Sequence, residues 1–405
     1  MAAICAGRTA QEKRAPLEIL LLETSRKVGA KILMSGGTRC NVTHKEVKPS
    51  DFQGGPRHFV KHVLEAFTPA DAMGFFNGIG VELVLEPPGK FFPVSHSAQT
   101  VLDALIKEVG RAGTALKTDA RVTDVKRSGD RFRLSGQGDA FCVSARKVII
   151  TTGGLSYPTT GSDGAGYRFA SGFGHTIVGT HPALTPLLTN DRDWRNLSGL
   201  SLEARLTFSK DGRKQCENRG AFLFTHFGFS GPAALDISRH VATARPEEKP
   251  KVVISFLPGH REETLSRAVE SEHVKMPKRH IQSVLVRELS LPGRFAETLL
   301  KKLGIDGTQT IGASSNETRR RLVHALLEYP LEVEGVYGYK KAEVTAGGVD
   351  LREVDVSTME SKLVAGLYFA GEVLDVDGRI GGFNFQWAWS TGALAGRGAA
   401  RALVS

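Results

Sequence analysis

The chain has 405 residues, more than one ordinary core holds, so two or three domains are expected. Hydrophobic residues make up 41% and charged residues 24%, and no apolar run reaches the length of a membrane span. That composition excludes fibrous, low-complexity and helical-membrane classes. The formal charge of +10 suits an acidic partner such as nucleic acid or a phosphorylated small molecule, and equally a plainly solvated basic surface. Cys5, Cys40, Cys142 and Cys216 lie far apart with no C-x-x-C, and the histidines show no H-E-x-x-H. The reading is therefore no metal, no disulfide framework and a reducing cytoplasm.

In chain order, MAAICAGR (1–8) reads as the interior of a helix, small and apolar with no cap before it. LEILLLE (17–23) reads as a buried strand that ends in Glu23. Such a strand is usually the second of a dinucleotide-binding βαβ unit. Its terminal acid there takes an adenosine ribose, about 20 residues after a G-x-G-x-x-G loop. Only 16 residues precede the strand here, with one glycine, Gly7, and no earlier strand. The expectation is that the first strand and the phosphate-binding glycines lie upstream of Met1; a genuine short variant of the fold is the alternative. In the strand order 3-2-1-4 the missing strand is central.

VGAKILMSGGTRCNVTH (28–44) is broken into a loop by Gly36, Gly37 and the polar Thr38 and Arg39. FVKHVLEAF (59–67) and AQTVLDALIKEVGRAG (98–113) have helical spacing, on either side of a hairpin at 81–94. Alternating segments fill 120–136, and FCVSARKVIITTGG (141–154) reads as one strand running into Gly153 and Gly154. Residues 183–256 are rich in short strands. Residues 260–328 look helical and basic, with 12 Lys and Arg against 8 Asp and Glu over 261–325. GLYFAGEV (366–373) is a strand and turn, and 381–403 is a small-residue helix behind two glycines.

Four stretches carry chemistry. Glu23 could hold ribose hydroxyls or be a solvated strand end. GGTRCN (36–41) offers close backbone approach and a guanidinium, and the lone thiol of Cys40 reads as packing rather than redox chemistry. TTGGLSYPTTGSDGAGY (151–167) ends a strand in glycines and brings the hydroxyl of Tyr157. AGEVLDVDGRIGGFNFQWAW (370–389) sets Gly371, Glu372 and Asp375 before a helix N-terminus near Gly382, where negative charge is stabilised. A plain strand–turn–helix packing unit would also explain the last stretch.

Taken together, KILMSGGTRCNVTH (31–44), GGLSYPTTGSDGAGYRFA (153–170), HPALTPL (181–187), FLFTHFGFSGPAALDIS (222–238) and the run from Val344 to Gly392 resemble the BaiN/RdsA-like bacterial flavoproteins. This family is also described as aminoacetone-oxidase-like NAD(P)/FAD-dependent oxidoreductases. The resemblance runs almost end to end. It implies an α/β fold: a Rossmann-type FAD-binding domain, without its first strand and G-x-G-x-x-G loop, at 1–182 and 338–405. Inserted in it would be a β-barrel-like domain at 183–258 and 312–337 and a helical domain at 259–311.

Carried over by position, the resemblance gives Glu23 to the adenosine ribose and Lys31, Gly36, Gly37, Arg39, Cys40 and Asn41 to the cofactor lining. Val122 would meet adenine through its backbone, and Thr152, Gly153 and Gly154 the adenosine or phosphate side. Gly371, Glu372 and Asp375 would meet pyrophosphate and ribityl. Gly381, Gly382, Phe383, Asn384 and Gln386 would sit at the flavin ring. Tyr157, His226, Met359 and Trp387 are substrate-side candidates. Two departures stand out: Thr38, where the family usually has a third glycine, and Ala30, where it usually has arginine.

The implied activity is hydride transfer through FAD, with NAD(P)H as a transient donor that visits the flavin directly. The expected substrate is a uridine in ribosomal RNA, reduced to dihydrouridine. A small amine such as aminoacetone and a steroid-like molecule are alternatives. A non-catalytic RNA- or partner-binding protein on a degenerate flavin fold is the rival from another class.

Overall fold

The computed structural model describes residues 1–136 and 141–404. The chain divides into two compact units, Met1–Ala183 with Tyr339–Ser405, and Leu184–Gly338. Among the described residues, no helix is long and apolar enough to cross a membrane.

In the first unit, the opening helix Ala2–Glu12 lies against the C-terminal helix Phe383–Val404. Small residues set that approach: a Cβ on Gly396 would sit 2.2 Å from the Ala2 carbonyl oxygen. The C-terminal helix separates two cores. Trp387 belongs to one, with Phe52, Phe369 and Tyr368; Trp389 belongs to the other, with Ile4 and Phe76. Residues two apart on a helix point about 200° apart, so both faces of this helix are apolar. Each buried aromatic contributes about 2–3 kcal/mol of transfer energy.

The first unit contains two separate two-stranded parallel ribbons. Ile19–Leu22 pairs with Thr114–Lys117, and Val148–Ile150 pairs with Leu367–Phe369. The second ribbon is core, with Leu367, Tyr368 and Phe369 fully buried. The first departs from expectation: LEILLLE forms its strand, yet Leu20 is 42% exposed. Among the described residues Ile19–Leu22 has one strand partner, so one edge of this apolar segment is uncovered.

The segment 141–154 also departs from the single strand expected of it. Cys142–Ala145 joins an antiparallel sheet with Val122–Ser128 and Arg131–Gly136, and Val148–Ile150 joins the parallel ribbon. The polar pair Arg146–Lys147 lets the chain leave one sheet for the other. The predicted helices at 59–67 and 98–113 appear as Arg57–Ala66 and Ala98–Arg111, and the hairpin as Leu83–Glu86 with Lys90–Pro93.

The second unit holds a seven-stranded antiparallel sheet around Ser201–Lys210 and Arg213–Thr225. Alternation sends Ala204, Leu206 and Phe208 inward. Helices Glu262–Lys275, Ile281–Arg287, Gly293–Leu303 and Asn316–Leu327 share one hydrophobic cluster with this sheet. Trp194 is its hub, stacked on Phe224 at 5.6 Å and Phe295 at 6.0 Å.

Candidate cofactor site

The first parallel ribbon delivers Glu23. Its N–H donates to the Lys117 carbonyl and its own carbonyl accepts from Ala120, both at 2.9 Å, which extends the strand pairing past Leu22. The carboxylate then folds over the turn, where Oε1 accepts the Ser25 N–H at 2.8 Å. Val122 begins the antiparallel strand that follows this turn and is half-buried.

The helix Ala30–Thr38 breaks where the sequence places its glycines. Ser35 turns extended (ψ 150°), and Gly36, Gly37 and Thr38 are left-handed, with φ of 56°, 65° and 67°. A side chain at Gly36 would press on the Asn41 backbone nitrogen at 2.9 Å, whereas Gly37 faces open space. The Arg39 guanidinium is committed to Glu86 at 3.0 and 3.1 Å and lies 4.1 Å from the centre of the Phe92 ring. Cys40 is fully buried, and burial pushes its thiol up to about 12 against a smaller opposing hydrogen bond from Ser35. A thiol so placed stays protonated and inert, as its packing role requires. Asn41 is 7% exposed, and its Oδ1 is buried with no hydrogen-bond partner.

A polar knot ties three distant segments together. Lys31 Nζ donates to Ser156 Oγ at 2.7 Å and is ion-paired with Glu372. Ser156 Oγ donates to Glu372 Oε1 at 2.5 Å, and the same oxygen accepts the Thr345 N–H at 2.9 Å. Thr345 Oγ1 accepts the N–H groups of Leu155 and Ser156 at 2.8 and 3.1 Å. Gly154 lies beside this knot: a Cβ there would be 2.4 Å from Thr345 Oγ1. Lys31, Gly154 and Glu372 are thus brought together. Ser156 and Thr345, which the sequence reading passed over, complete the group. Gly153 (φ 71°) and the exposed Thr152 lead into it.

The third wall is the turn before the C-terminal helix. The Gly371 N–H donates to Thr391 Oγ1 at 2.9 Å, and its carbonyl accepts the Trp387 indole N–H at 3.3 Å. Asp375 is 9% exposed, its N–H bonded to the Val349 carbonyl at 3.0 Å. Gly381 and Gly382 follow with φ of 127° and 95°. Phe383 stacks on His44 at 4.8 Å. Asn384 closes the turn by bonding both the N–H and the carbonyl of Gly378, at 2.8 and 2.9 Å. Gln386 is fully buried, accepting from Thr43 Oγ1 at 2.6 Å and donating to the Phe67 carbonyl at 2.9 Å. Both amides therefore build the frame of the site.

Asn41 and this helix meet. A Cβ on Gly382 would lie 2.9 Å from Asn41 Oδ1. The N-terminus of a 22-residue helix, preceded by two glycines of positive φ, fits the polar end of a flavin. The helix end favours negative charge.

The substrate-side candidates divide. Tyr157 is half-buried with its N–H on the Tyr339 carbonyl at 3.0 Å, and its hydroxyl is pushed up by burial and by nearby Glu343. Met359 and Trp387 are corrected: they are 0% and 1% exposed and pack in the core. The apolar environment that holds them leaves no face toward a substrate. His226 belongs to the second unit, exposed in the turn between Arg213–Thr225 and Gly228–Ser230. Tyr167, inside the motif GSDGAGY, was missed; its buried hydroxyl has no hydrogen-bond partner and is pushed up by burial, then by Glu372, Tyr339 and Asp375.

The family described as HI0933-like protein Rossmann domain matches residues 1–398. The ribosomal RNA dihydrouridine synthase of Escherichia coli (strain K12) is 34% identical over 381 residues, covering 92% of this chain and 90% of that protein. The protein of the same name from Haemophilus influenzae is 35% identical over 378 residues, covering 92% and 90%. The 3-dehydro-bile acid delta(4,6)-reductase of Clostridium scindens is 33% identical over 403 residues, covering 99% and 96%.

Proposed function

We propose that this chain, which belongs to the HI0933-like Rossmann family of FAD-dependent oxidoreductases, reduces a uridine of ribosomal RNA to dihydrouridine. NAD(P)H is the electron donor in this reading. The supporting observation is likeness across nine-tenths of the chain to two proteins named ribosomal RNA dihydrouridine synthase. The +10 charge agrees with a polyanionic substrate, and such a substrate places the work in the cytoplasm. The bile acid reductase supports a second reading, a steroid-like enone. Both substrates contain a carbon–carbon double bond conjugated to a carbonyl. One type of reduction serves both: hydride to the carbon β to the carbonyl, proton to the α carbon.

Bound FAD would supply the hydride. The chain's own residues do the rest. Glu23 would take the adenosine ribose, and Gly153, Gly154 and Gly371 would let backbone approach the phosphates. The Lys31–Glu372–Ser156–Thr345 knot holds those segments in register. The N-terminus at Gly381–Phe383 would stabilise negative charge on the ring. The Tyr157 hydroxyl, protonated at neutral pH, is a proton donor for the α carbon.

Incubating the FAD-loaded chain with NAD(P)H and unmodified ribosomal RNA, followed by mass spectrometry of the nucleosides, tests the reading. Dihydrouridine should form, and RNA affinity should fall steeply with salt. Reduction of a bile-acid enone with none of the RNA would move the assignment to the second reading.

A further inference from the structure

We propose that His226, Phe227 and Tyr337, all in the second unit, form a stacking platform for unpaired bases of RNA, with Arg192 and Arg195 gripping phosphates beside it. The proposal rests on the RNA reading above and gives that substrate a surface outside the cofactor site.

The platform is built from two loops seated on one strand. Thr225 and Gly228 pair across the hairpin of Arg213–Thr225 and Gly228–Ser230, which leaves His226 and Phe227 as its two tip residues. Such tips favour Asn–Gly, whose backbone suits a tight turn. Two aromatic rings there answer no demand of the turn. The tip is nevertheless well held: Thr225 Oγ1 donates to the Gly228 carbonyl at 2.9 Å and accepts its N–H at 3.1 Å. A Cβ on Gly228 would sit 2.1 Å from the Leu187 carbonyl oxygen, so the hairpin lies tight on the strand Leu187–Leu188. The other edge of that strand pairs with Gly335–Val336. Tyr337 follows, its N–H on the Pro186 carbonyl at 2.9 Å. The rings of the two loops therefore meet. Phe227 lies 4.8 Å from His226 and 5.0 Å from Tyr337, edge to face with each. His226 is exposed and Tyr337 is 39% exposed, so the cluster faces water and not the core. A base stacked on it recovers the cost of that exposed apolar surface.

The charge beside the rings has the sign an RNA strand needs. The short helix Arg192–Arg195 carries two exposed arginines three residues apart, on one face. Arg195 is tied to the platform, its Nε–H donating to the His226 carbonyl at 2.6 Å. The acids of the same segment are already neutralised, Asp193 by Lys301 at 2.6 Å and Asp191 by Lys302. Aromatic faces with arginines alongside are what surfaces for single-stranded RNA combine. A duplex keeps its bases stacked on one another and offers the rings no face.

Fluorescence anisotropy of the FAD-loaded full chain, with a short labelled oligouridylate and with a blunt RNA duplex of the same length, tests the proposal. The single strand should bind roughly fivefold or more tighter than the duplex. Tyr337→Leu keeps apolar bulk but removes the π face, and should weaken single-strand binding roughly fivefold or more. Tyr337→Phe should bind within about twofold of wild type. Arg192→Gln and Arg195→Gln should each lower the slope of log affinity against log salt by about 0.7. Single-strand binding unchanged in Tyr337→Leu overturns the proposal and leaves the patch to a protein partner. A duplex bound as tightly as the strand also overturns it. Should Tyr337→Leu fail to fold, the arginine variants decide, and salt slopes equal to wild type overturn the proposal. In each of these cases a wild-type chain that forms dihydrouridine keeps the RNA reading intact. A wild-type chain that binds no RNA overturns that reading, and the proposal with it.

Discussion

Thr38 sits where the backbone needs glycine. Its φ of 67° follows two left-handed glycines, and a β-branched residue there is strained. Thr38→Gly should raise stability by about 1 kcal/mol, read as a higher urea midpoint at unchanged slope. No gain would mean that the hydroxyl's bond to the Gly37 carbonyl, 2.6 Å, offsets the strain.

A second residue-scale prediction concerns pH. His175 bonds Ser361 Oγ at 2.7 Å and Glu353 at 3.0 Å in the first unit. Burial holds its pKa below the usual 6.5 despite the opposing pull of Glu353. The Glu353 carboxyl is pushed up by burial, but bonds from Thr176 and His175 outweigh that and leave it below its usual value. A histidine depressed in the folded state stabilises fully above about 6.5, and the contribution is lost as pH falls, because the unfolded chain takes the proton first. Glu353 adds a loss in the same direction below about 4.5. His175→Phe should therefore flatten the fall in stability between about pH 7 and 5. An unchanged slope would place the dependence elsewhere. Neither partner of His175 was legible in the sequence, since Ser361 and Glu353 lie 186 and 178 residues away.

Among the elements, the C-terminal helix does most to position the site, and its seam with the opening helix leaves no room for a side chain. Gly396→Leu should cost roughly 3 kcal/mol or more, because the obstacle is the Ala2 backbone carbonyl at 2.2 Å. Thermal unfolding would show it, and a Tm unchanged from wild type would contradict the packing. Helical spacing and glycine breaks made the helices and the loop at 36–38 readable. Burial of individual faces was less so. Trp387 follows the glycines that face the site, yet helical phase turns it into the core, where its indole N–H holds the Gly371 carbonyl. The strand LEILLLE shows the converse, since strand partners decide burial and composition does not: one partner leaves Leu20 exposed.

At the scale of the molecule, the motifs lie in separate stretches, and only folding brings them together. Lys31 and Glu372 are 341 residues apart, and the resemblance gave each to the cofactor. The structure pairs them with each other and makes Ser156 and Thr345 part of the same knot. The chemistry of a cofactor enzyme is carried by the cofactor, so spacing could not reveal a catalytic set as it does for a hydrolase. The proposed substrate rests on resemblance alone, with the net charge in agreement. The most direct test of the account is an anaerobic visible spectrum of the full chain mixed with FAD and freed of excess. NAD(P)H is then added, followed by ribosomal RNA lacking dihydrouridine. The account predicts bound flavin whose absorbance bleaches with NAD(P)H and returns on adding the RNA. A chain that retains no flavin, or a bleached flavin that only a steroid enone restores, would contradict it.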